Sequence, residues 1–300
     1  MRILITGANG LLGHKLVEIL AADKLVELIA TSRGKSRLPE KWNLDYQEMD
    51  VNNANQVSKI ISSVKPDVII HTAAMTNVDD CELNQSECYD LNVKSVEILL
   101  RASKEIKAFF VHLSTDFIFS GEKGPLTEDE SPKPVNYYGE SKLESETIVK
   151  SYPYKWAIVR TVLVYGITPN MSRSNIILWV KKSLEEGKTI QVVDDQFRTP
   201  TLAEDLAKGC IAIAKGSHEG VFNISGKDFL TPYEMAIATA EFFGLNKNLI
   251  VKTDSSKFTQ PAKRPLRTGF ILDKAINTFG YAPVSFKEGI QIVADQIQRP

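Results

Sequence analysis

The stretch RILITGANGLLG, residues 2–13, joins a short apolar run to three regularly spaced glycines. Gly7, Gly10 and Gly13 follow a predicted strand over residues 2–6 and lie at the start of a predicted helix over 11–22. Glycine there permits a tight turn and close approach of the backbone to an anion, while the helix N-terminus presents unpaired N–H groups. The first two glycines are one residue further apart than in G-x-G-x-x-G. We expect a cradle for the phosphates of a dinucleotide, and the alternative is a glycine turn that merely joins strand to helix.

Strand-like and helix-like segments alternate through the first half of the chain. Apolar runs rich in β-branched residues predict strands over residues 2–6, 26–31, 46–50, 67–72, 108–115 and 156–161. Helical periodicity predicts helices over residues 11–22, 54–64, 92–106 and 138–150. Parallel neighbours need a long connection between them, so this order predicts an α/β fold with a Rossmann-type, doubly wound parallel sheet.

The second half of the chain is more helical. Predicted helices cover residues 175–186, 203–215, 232–243 and 286–298, and short strands cover 190–193 and 220–224. We therefore expect residues 1–165 to form the Rossmann domain and residues 166–300 a smaller α/β lobe that binds the substrate. Some segments of the lobe are expected to return to the first domain.

Composition favours a small-molecule partner over nucleic acid or a membrane. The chain is 43% hydrophobic and 24% charged, with a formal net charge of −1 and no basic block. No apolar run reaches the length of a membrane helix and the N-terminus lacks a signal peptide pattern, so we expect a cytoplasmic protein. Cys81, Cys88 and Cys210 make no C-x-x-C pair, so we interpret them as reduced packing or surface residues and expect no metal site. His71 and His112 lie within strand-like runs and are interpreted as core residues.

The end of the second predicted strand bears on the choice of cofactor. A carboxylate there would bind the ribose 2′-hydroxyl of NAD, but residues 31–35 read TSRGK. Ser32 and Arg33 suit a 2′-phosphate, so NADP(H) is favoured and NAD(H) is the alternative. The alternative is that Arg33 and Lys35 are plain loop charges. Asp50 and Val51, after the third strand, are further cofactor candidates, with Asp50 placed for the adenine amino group or for capping the next helix.

Catalytic candidates come from NYYGESK, residues 136–142, and from the end of the fifth strand. Tyr138 and Lys142 are four residues apart and share a helix face, which suits a phenol acting as general acid with an ammonium that lowers its pKa. Ser114, Thr115 and Asp116 lie at the end of the strand, at the edge of the sheet where ligands bind, and Thr115 suits a hydrogen bond to a substrate oxygen. The alternative for Tyr138 and Lys142 is a solvated helix face. The alternative for Ser114, Thr115 and Asp116 is a plain turn or cap.

Five motifs carry a resemblance to a known family. TGANGLLG, HTAAMTNVDDCE, STDFIFSG, YYGESK and VVDDQFRTPT, in that order, are similar to the extended short-chain dehydrogenase/reductase superfamily and, within it, to the dTDP-4-dehydrorhamnose reductase family. The resemblance implies reduction of the C4 ketone of dTDP-4-dehydro-L-rhamnose to dTDP-L-rhamnose by hydride from NADPH or NADH. The site residues that it implies are Tyr138 as proton donor with Lys142 as its partner, Thr115 and Asp116 at the sugar, Gly10, Leu11 and Leu12 at the pyrophosphate, and Ala73, Ala74 and Met75 along the cofactor.

The sequence departs from the family pattern at Leu163. The family has a tryptophan that contacts the sugar within the segment corresponding to RTVLVYG, residues 160–166. Arg198, Lys263 and Arg264 are candidates for the diphosphate of a nucleotide sugar, or are ordinary surface charges. A homodimer is the default assembly.

Two other functions suit the same fold. One is a nucleotide-sugar epimerase or dehydratase, which would recycle its cofactor. The other is an NADP-binding regulatory subunit that resembles the methionine adenosyltransferase β subunit. Turnover of a keto sugar with net consumption of NADPH distinguishes the reductase from both.

Overall fold

A seven-stranded parallel sheet forms the centre of the structure, which is a computed structural model describing residues 1–42, 44–169, 171 and 174–298. The strands of the described residues are β1 Arg2–Thr6, β2 Glu27–Ser32, β3 Asp45–Glu48, β4 Val68–His71, β5 Phe109–Thr115, β6 Trp156–Thr161, β7 Val164–Tyr165, β8 Ile190–Val193, β9 Thr201–Leu202, β10 Gly220–Asn223 and β11 Ile250–Thr253. The central sheet has the order β10-β6-β5-β4-β1-β2-β3, while β11-β8 and β7-β9 form two small parallel pairs.

Helices connect and cover these strands. They are α1 Leu11–Leu20, α2 Ala54–Val64, α3 Val78–Leu83, α4 Gln85–Tyr89, α5 Ser95–Ile106, α6 Tyr137–Lys150, α7 Ile176–Glu185, α8 Ala203–Gly216, α9 Pro232–Phe242, α10 Asp273–Phe279 and α11 Phe286–Gln298. Short 3-10 turns cover Glu40–Trp42, Asp116–Ile118, Lys247–Leu249 and Ser255–Lys257, and a π-helical turn covers Asp90–Lys94. Among the described residues no helix is both long and apolar enough to cross a bilayer.

The strand order reverses between β1 and β4, which is where a doubly wound sheet binds its ligand. From β1 the chain builds outward through β2 and β3, and then returns to β4 on the other side of β1. The carboxyl ends of β1 and β4 therefore open a crevice at this switch point. The predicted Rossmann-type parallel sheet is confirmed.

Apolar side chains alternate between two faces of the sheet. In β1, Ile3 and Ile5 belong to the core beneath α1 and α8, whereas Leu4 belongs to the core beneath α2 and α5. This alternation with both faces buried is what a parallel strand requires, because helices cover the sheet on each side.

The second half of the chain divides between the sheet and a separate group of helices. α8 and β10 pack into the core on the α1 side of the sheet, and β10 pairs with β6 as the edge strand. α7, α9 and α11 instead pack in two smaller apolar clusters with β8 and β11. A boundary near residue 165, with segments that return to the first domain, stays a prediction.

Several elements differ from the sequence-based expectation. The helix predicted from residue 92 begins at Ser95, because the π-helical turn Asp90–Lys94 precedes it. α3, α4, α10 and β11 were not predicted. They have four to seven residues each, too few for helical or strand periodicity to stand out.

Candidate active site

The glycine stretch forms a tight loop between β1 and α1. Gly7 has φ +72°, and a Cβ atom there would lie 2.8 Å from the backbone nitrogen of Ala73. A Cβ at Gly13 would lie 2.2 Å from the Gly7 carbonyl oxygen, so α1 can approach the loop only with glycine at that position. A Cβ at Gly10 would meet only that same oxygen, at 3.2 Å. Gly7 and Gly13 therefore allow the close packing, and Gly10 leaves open space before Leu11 and Leu12.

The loop after β2 is fastened to the glycine loop. Asn9 Nδ2 donates to the Lys35 carbonyl at 3.0 Å, and Asn9 Oδ1 accepts from the Arg37 backbone N–H at 2.9 Å. Ser32 is half-buried at the end of β2 and Arg33 is exposed beside it. These contacts hold the loop after β2 against the glycine loop through Asn9, a residue that sequence reasoning missed. Binding of a phosphate by Ser32 and Arg33 stays a prediction.

Asp50 and Val51 lie beyond β3. The Asp50 carboxylate accepts from the Asn52 backbone N–H at 2.9 Å, and Val51 is buried. Asn53 caps α2, since its side chain accepts from the N–H groups of Asn55 and Gln56. The alternative role of Asp50 as the cap of that helix is therefore wrong, and its contact with adenine stays a prediction.

The segment after β4 is held by a buried asparagine. Asn92, in the π-helical turn, accepts from the Met75 N–H at 2.8 Å and donates to the Met75 carbonyl at 3.0 Å. Asn92 Nδ2 also lies 3.1 Å from Ser141 Oγ on α6. Asn92 thus links the predicted cofactor residues Ala73, Ala74 and Met75 to the helix that carries Tyr138. Nothing local in the sequence marks this role, although π-helical turns are frequent at functional sites.

The first turn of α6 is fixed on three sides. Asn136 caps the helix by accepting from the Gly139 N–H at 2.9 Å, and the Tyr137 N–H donates to Glu82 at 2.9 Å. A Cβ at Gly139 would lie 2.1 Å from the Phe117 carbonyl oxygen, so glycine lets α6 press against the turn that follows β5. Tyr138 therefore has a defined position next to the end of β5.

Tyr138 is buried beside Thr115. Its ring meets Phe117 edge to face, with centroids 5.8 Å apart, and it packs with Cys81 and Cys88. Burial raises the pKa of Tyr138 above its ordinary value, and a hydrogen bond with Thr115 opposes that shift. The expected net lowering of the Tyr138 pKa is wrong, because burial outweighs the contributions that lower it. A phenol in this environment stays protonated at neutral pH, as a proton donor must.

Lys142 lies one turn further along α6 and is 3% exposed. Burial lowers the pKa of Lys142 to about 8, while Glu146 and Cys88 oppose the shift. Its Nζ lies 3.2 Å from His112 Nε2 on β5. Lys142 is therefore a buried ammonium that loses its proton at a lower pH than an exposed lysine does. Its described hydrogen bond is to His112.

Thr115 and Asp116 join the sheet to the second half of the chain. Thr115 Oγ1 donates to Asp116 Oδ1 at 3.2 Å, and Thr268 donates to Asp116 Oδ2. Arg198 Nε lies 3.7 Å from the same carboxylate, and its other donors bind the carbonyls of Pro265 and Leu266. Burial raises the pKa of Asp116, and the Arg198 charge opposes this. Both groups are engaged within the protein, so their direct contact with a substrate stays a prediction.

The remaining candidates border the site. Arg264 makes a two-pronged ion pair with Asp79 of α3, at 2.8 and 2.6 Å, and Lys263 is exposed next to it. Leu163, at the position of the family's tryptophan, has φ +37° and is 42% exposed. A left-handed backbone is uncommon for leucine and is frequent at functional sites.

A cavity of about 340 Å³ opens among α7, β8 and the segment before Pro265. Trp179, Phe258, Gln260 and Arg264 are among its lining residues. Arg264 also pairs with Asp79, so one segment borders both the cavity and the helices around Tyr138. Among the described residues, no group of three or more His, Cys, Asp or Glu side chains is arranged to hold a metal ion.

The whole chain resembles known proteins in sequence and structure. The solved structure of a dTDP-4-dehydrorhamnose reductase from Clostridium acetobutylicum is 32% identical, covers 100% of both chains and has a TM-score of 0.87. A second such reductase, from Bacillus anthracis in complex with NADP, is 28% identical over 98% of this chain and 99% of its own, with a TM-score of 0.83.

The chain is almost as similar in sequence to a protein that is not called a reductase. The methionine adenosyltransferase 2 subunit beta of Bos taurus is 32% identical over 260 residues, which are 85% of this chain and 76% of that protein.

The family described as the RmlD substrate binding domain matches residues 1–299. The chain therefore belongs to the RmlD substrate binding domain family.

Proposed function

We propose that this protein reduces the C4 ketone of a nucleotide-activated deoxysugar with NADPH, converting dTDP-4-dehydro-L-rhamnose to dTDP-L-rhamnose. One observation carries the proposal: a phenol kept protonated by burial, Tyr138, lies beside the Thr115 hydroxyl and one helical turn from the Lys142 ammonium. The glycine loop at the switch point fits a dinucleotide, because Gly10 leaves open the space before the first turn of α1.

The side chains have separate tasks in the reaction. NADPH, when bound, supplies the hydride that adds to C4. Tyr138 gives its proton to the ketone oxygen, so that the product is a neutral alcohol. Thr115 holds that oxygen by a hydrogen bond, and Lys142 stabilises the phenolate left on Tyr138.

The direct assay is oxidation of NADPH with a panel of nucleotide-4-keto sugars. We expect turnover with dTDP-4-dehydro-L-rhamnose and slower turnover when the nucleotide or the 4-keto group is changed. Absence of turnover across the panel, with tight NADPH binding retained, would contradict the proposal.

Arg33 is proposed to bind the 2′-phosphate of NADPH. Replacing it with alanine should raise the Kd for NADPH about tenfold or more and leave the Kd for NADH nearly unchanged, because one charged hydrogen-bonding partner of the phosphate is lost. Fluorescence titration of both nucleotides measures this. Lys35→Ala is the matched control, since it removes an equal charge from the same loop. Equal effects of the two substitutions would mean that the loop acts only by its net charge.

The pKa of Lys142 predicts a pH limit for the reaction. The ammonium form is present below the pKa and is lost as pH rises through about 8, so kcat should fall about tenfold per pH unit above that value. Tyr138 has a raised pKa and does not account for this limb. The Lys142→Met variant should have a low kcat that does not fall further as the pH rises above about 8. A kcat that stays constant to about pH 10 would contradict the assignment.

The cavity in the second lobe is the proposed site of the nucleotide part of the substrate. Trp179 and Phe258 present exposed aromatic surface on which a base can stack, and Arg264 adds a positive charge next to it. Asp116 and Arg198 stay candidates for the sugar and the diphosphate. The homodimer also stays a prediction.

The second candidate function is an NADP-binding regulatory subunit, which the likeness to methionine adenosyltransferase 2 subunit beta supports. Leu163 in place of the family's tryptophan also favours it, because an aromatic surface against the sugar is missing. The whole-length match to the reductase from Clostridium acetobutylicum favours the enzyme. An epimerase or dehydratase differs from the reductase because it returns its cofactor unchanged.

A further inference from the structure

Two buried histidines lie side by side in the centre of the sheet. His71 of β4 and His112 of β5 are register partners, and their rings stack with centroids 5.6 Å apart. Both are almost completely buried. Burial lowers the pKa of both rings, and the charge of Lys142 lowers each further. Both histidines are therefore neutral at physiological pH.

The two rings have different partners. His71 Nδ1 bonds Thr6 Oγ1 at 2.7 Å, on the neighbouring strand β1. His112 Nε2 lies 3.2 Å from Lys142 Nζ and 2.9 Å from Ser145 Oγ, both on α6. We assign the ring proton of His112 to Nδ1, because a protonated Lys142 has only donors and Nε2 can then accept from it. His112 Nδ1 has no hydrogen-bond partner among the described residues, and Ser145 Oγ donates to the Lys142 carbonyl at 2.7 Å. A neutral imidazole can do this across the working pH range, whereas an imidazolium cannot.

We propose that His112 is a positioning residue for Lys142, holding the ammonium by a hydrogen bond to Nε2 so that it faces Tyr138 and the cofactor. The proposal rests on the function given above, in which Lys142 stabilises the Tyr138 phenolate. His112 touches neither substrate nor cofactor in this scheme and acts through the lysine.

The other charged or titratable groups around Lys142 do not replace this contact. Glu146 is one turn away, but its two oxygens bind the Arg160 guanidinium at 2.9 and 2.8 Å. Cys88 of α4 and Cys81 of α3 raise the pKa of Lys142 by their charge, and His71 faces it from β4. Within the described part of the chain, the hydrogen bond of Lys142 Nζ goes to His112. Loss of that acceptor leaves a buried ammonium poorly bonded, which favours the neutral amine.

The test compares four variants of the full-length protein. His112→Gln keeps an acceptor near the place of Nε2, whereas His112→Asn has an amide of the same chemistry that is too short to reach Lys142. His112→Leu removes the acceptor altogether. His71→Leu removes the stacked ring from the same register and leaves the Lys142 contact in place.

We expect the loss of the acceptor to change kcat and its pH dependence. In His112→Leu and His112→Asn, kcat at neutral pH should fall about tenfold or more, and the alkaline limb should move down by about one pH unit. His112→Gln should stay within about threefold of the unsubstituted protein, and His71→Leu should keep its alkaline limb. Thermal unfolding of each variant shows whether it is folded. If His112→Leu does not fold, the comparison of the pH profiles of His112→Gln and His112→Asn still tests the proposal. Equal pH profiles for Gln and Asn would overturn the proposal.

A second readout separates this proposal from the proposed function. The ¹⁵N resonance of Lys142 Nζ, identified by its loss in Lys142→Met, reports the pKa of the lysine without any turnover. A lower Lys142 pKa in His112→Asn than in His112→Gln supports the positioning role even if no sugar is reduced. The same Lys142 pKa in both variants would overturn it even in an active reductase.

Discussion

Replacing Tyr138 with phenylalanine should lower kcat about a hundredfold or more while NADPH binding and thermal stability stay nearly unchanged. The substitution removes one oxygen atom and keeps the ring that packs on Phe117 and beside Cys81 and Cys88. The reaction then lacks its proton donor, so the developing charge on the ketone oxygen is not neutralised. Stopped-flow measurement of NADPH oxidation in a single turnover isolates this step from product release.

Tyr137 provides the matched control for this variant. It is the preceding residue of α6, carries the same phenol and is half-buried. Tyr137→Phe should keep kcat within about threefold of the unsubstituted protein, since its phenol has no place in the proposed chemistry. If the two phenylalanine variants lose activity equally, Tyr138 is not the acid.

Replacing Gly13 with alanine should abolish dinucleotide binding and destabilise the fold. The new Cβ would lie 2.2 Å from the Gly7 carbonyl oxygen and 2.7 Å from the Ala8 Cα, so α1 must move away from the loop. Overpacking against backbone of this kind costs about 3 kcal/mol or more. Chemical denaturation measures the loss of stability, and isothermal titration calorimetry measures NADPH binding.

The Gly10→Ala variant distinguishes an effect on NADPH binding by the glycine loop from an effect on the stability of the fold. Its Cβ would lie 3.2 Å from the Gly7 carbonyl oxygen and would otherwise enter open space, and the φ of Gly10 is −83°, which alanine readily adopts. The free energy of unfolding should change by less than about 1 kcal/mol, whereas NADPH affinity should fall about tenfold or more because the methyl group occupies the phosphate space. Normal NADPH binding by Gly10→Ala would mean that the cradle does not hold the pyrophosphate.

Local patterns in the sequence predict the sheet and part of the site. β1, β6 and α2 begin and end at the predicted residues, because apolar runs and helical periodicity are properties of neighbouring residues. Tyr138 and Lys142 fall on one face of α6 for the same reason. The proximity of Thr115 to Tyr138 also follows from the rule that strand ends line the ligand site.

Local sequence patterns do not predict contacts between residues that are far apart in the chain. Asn92 reaches Met75 and Ser141, which are 17 and 49 residues away in the chain, and His112 reaches Lys142 across 30 residues. No periodicity or short motif marks such pairs. The raised pKa of Tyr138 could not be predicted from the sequence for the same reason, since it depends on how deeply the fold buries the phenol.

Hydride transfer to the sugar tests the central claim most directly. The protein is incubated with dTDP-4-dehydro-L-rhamnose and NADPH that carries deuterium at both hydrogen positions of C4 of the nicotinamide. We predict that one NADPH is oxidised for each sugar reduced and that the deuterium appears at C4 of dTDP-L-rhamnose. NADPH that binds and remains unoxidised, or a sugar product without deuterium, would contradict the account.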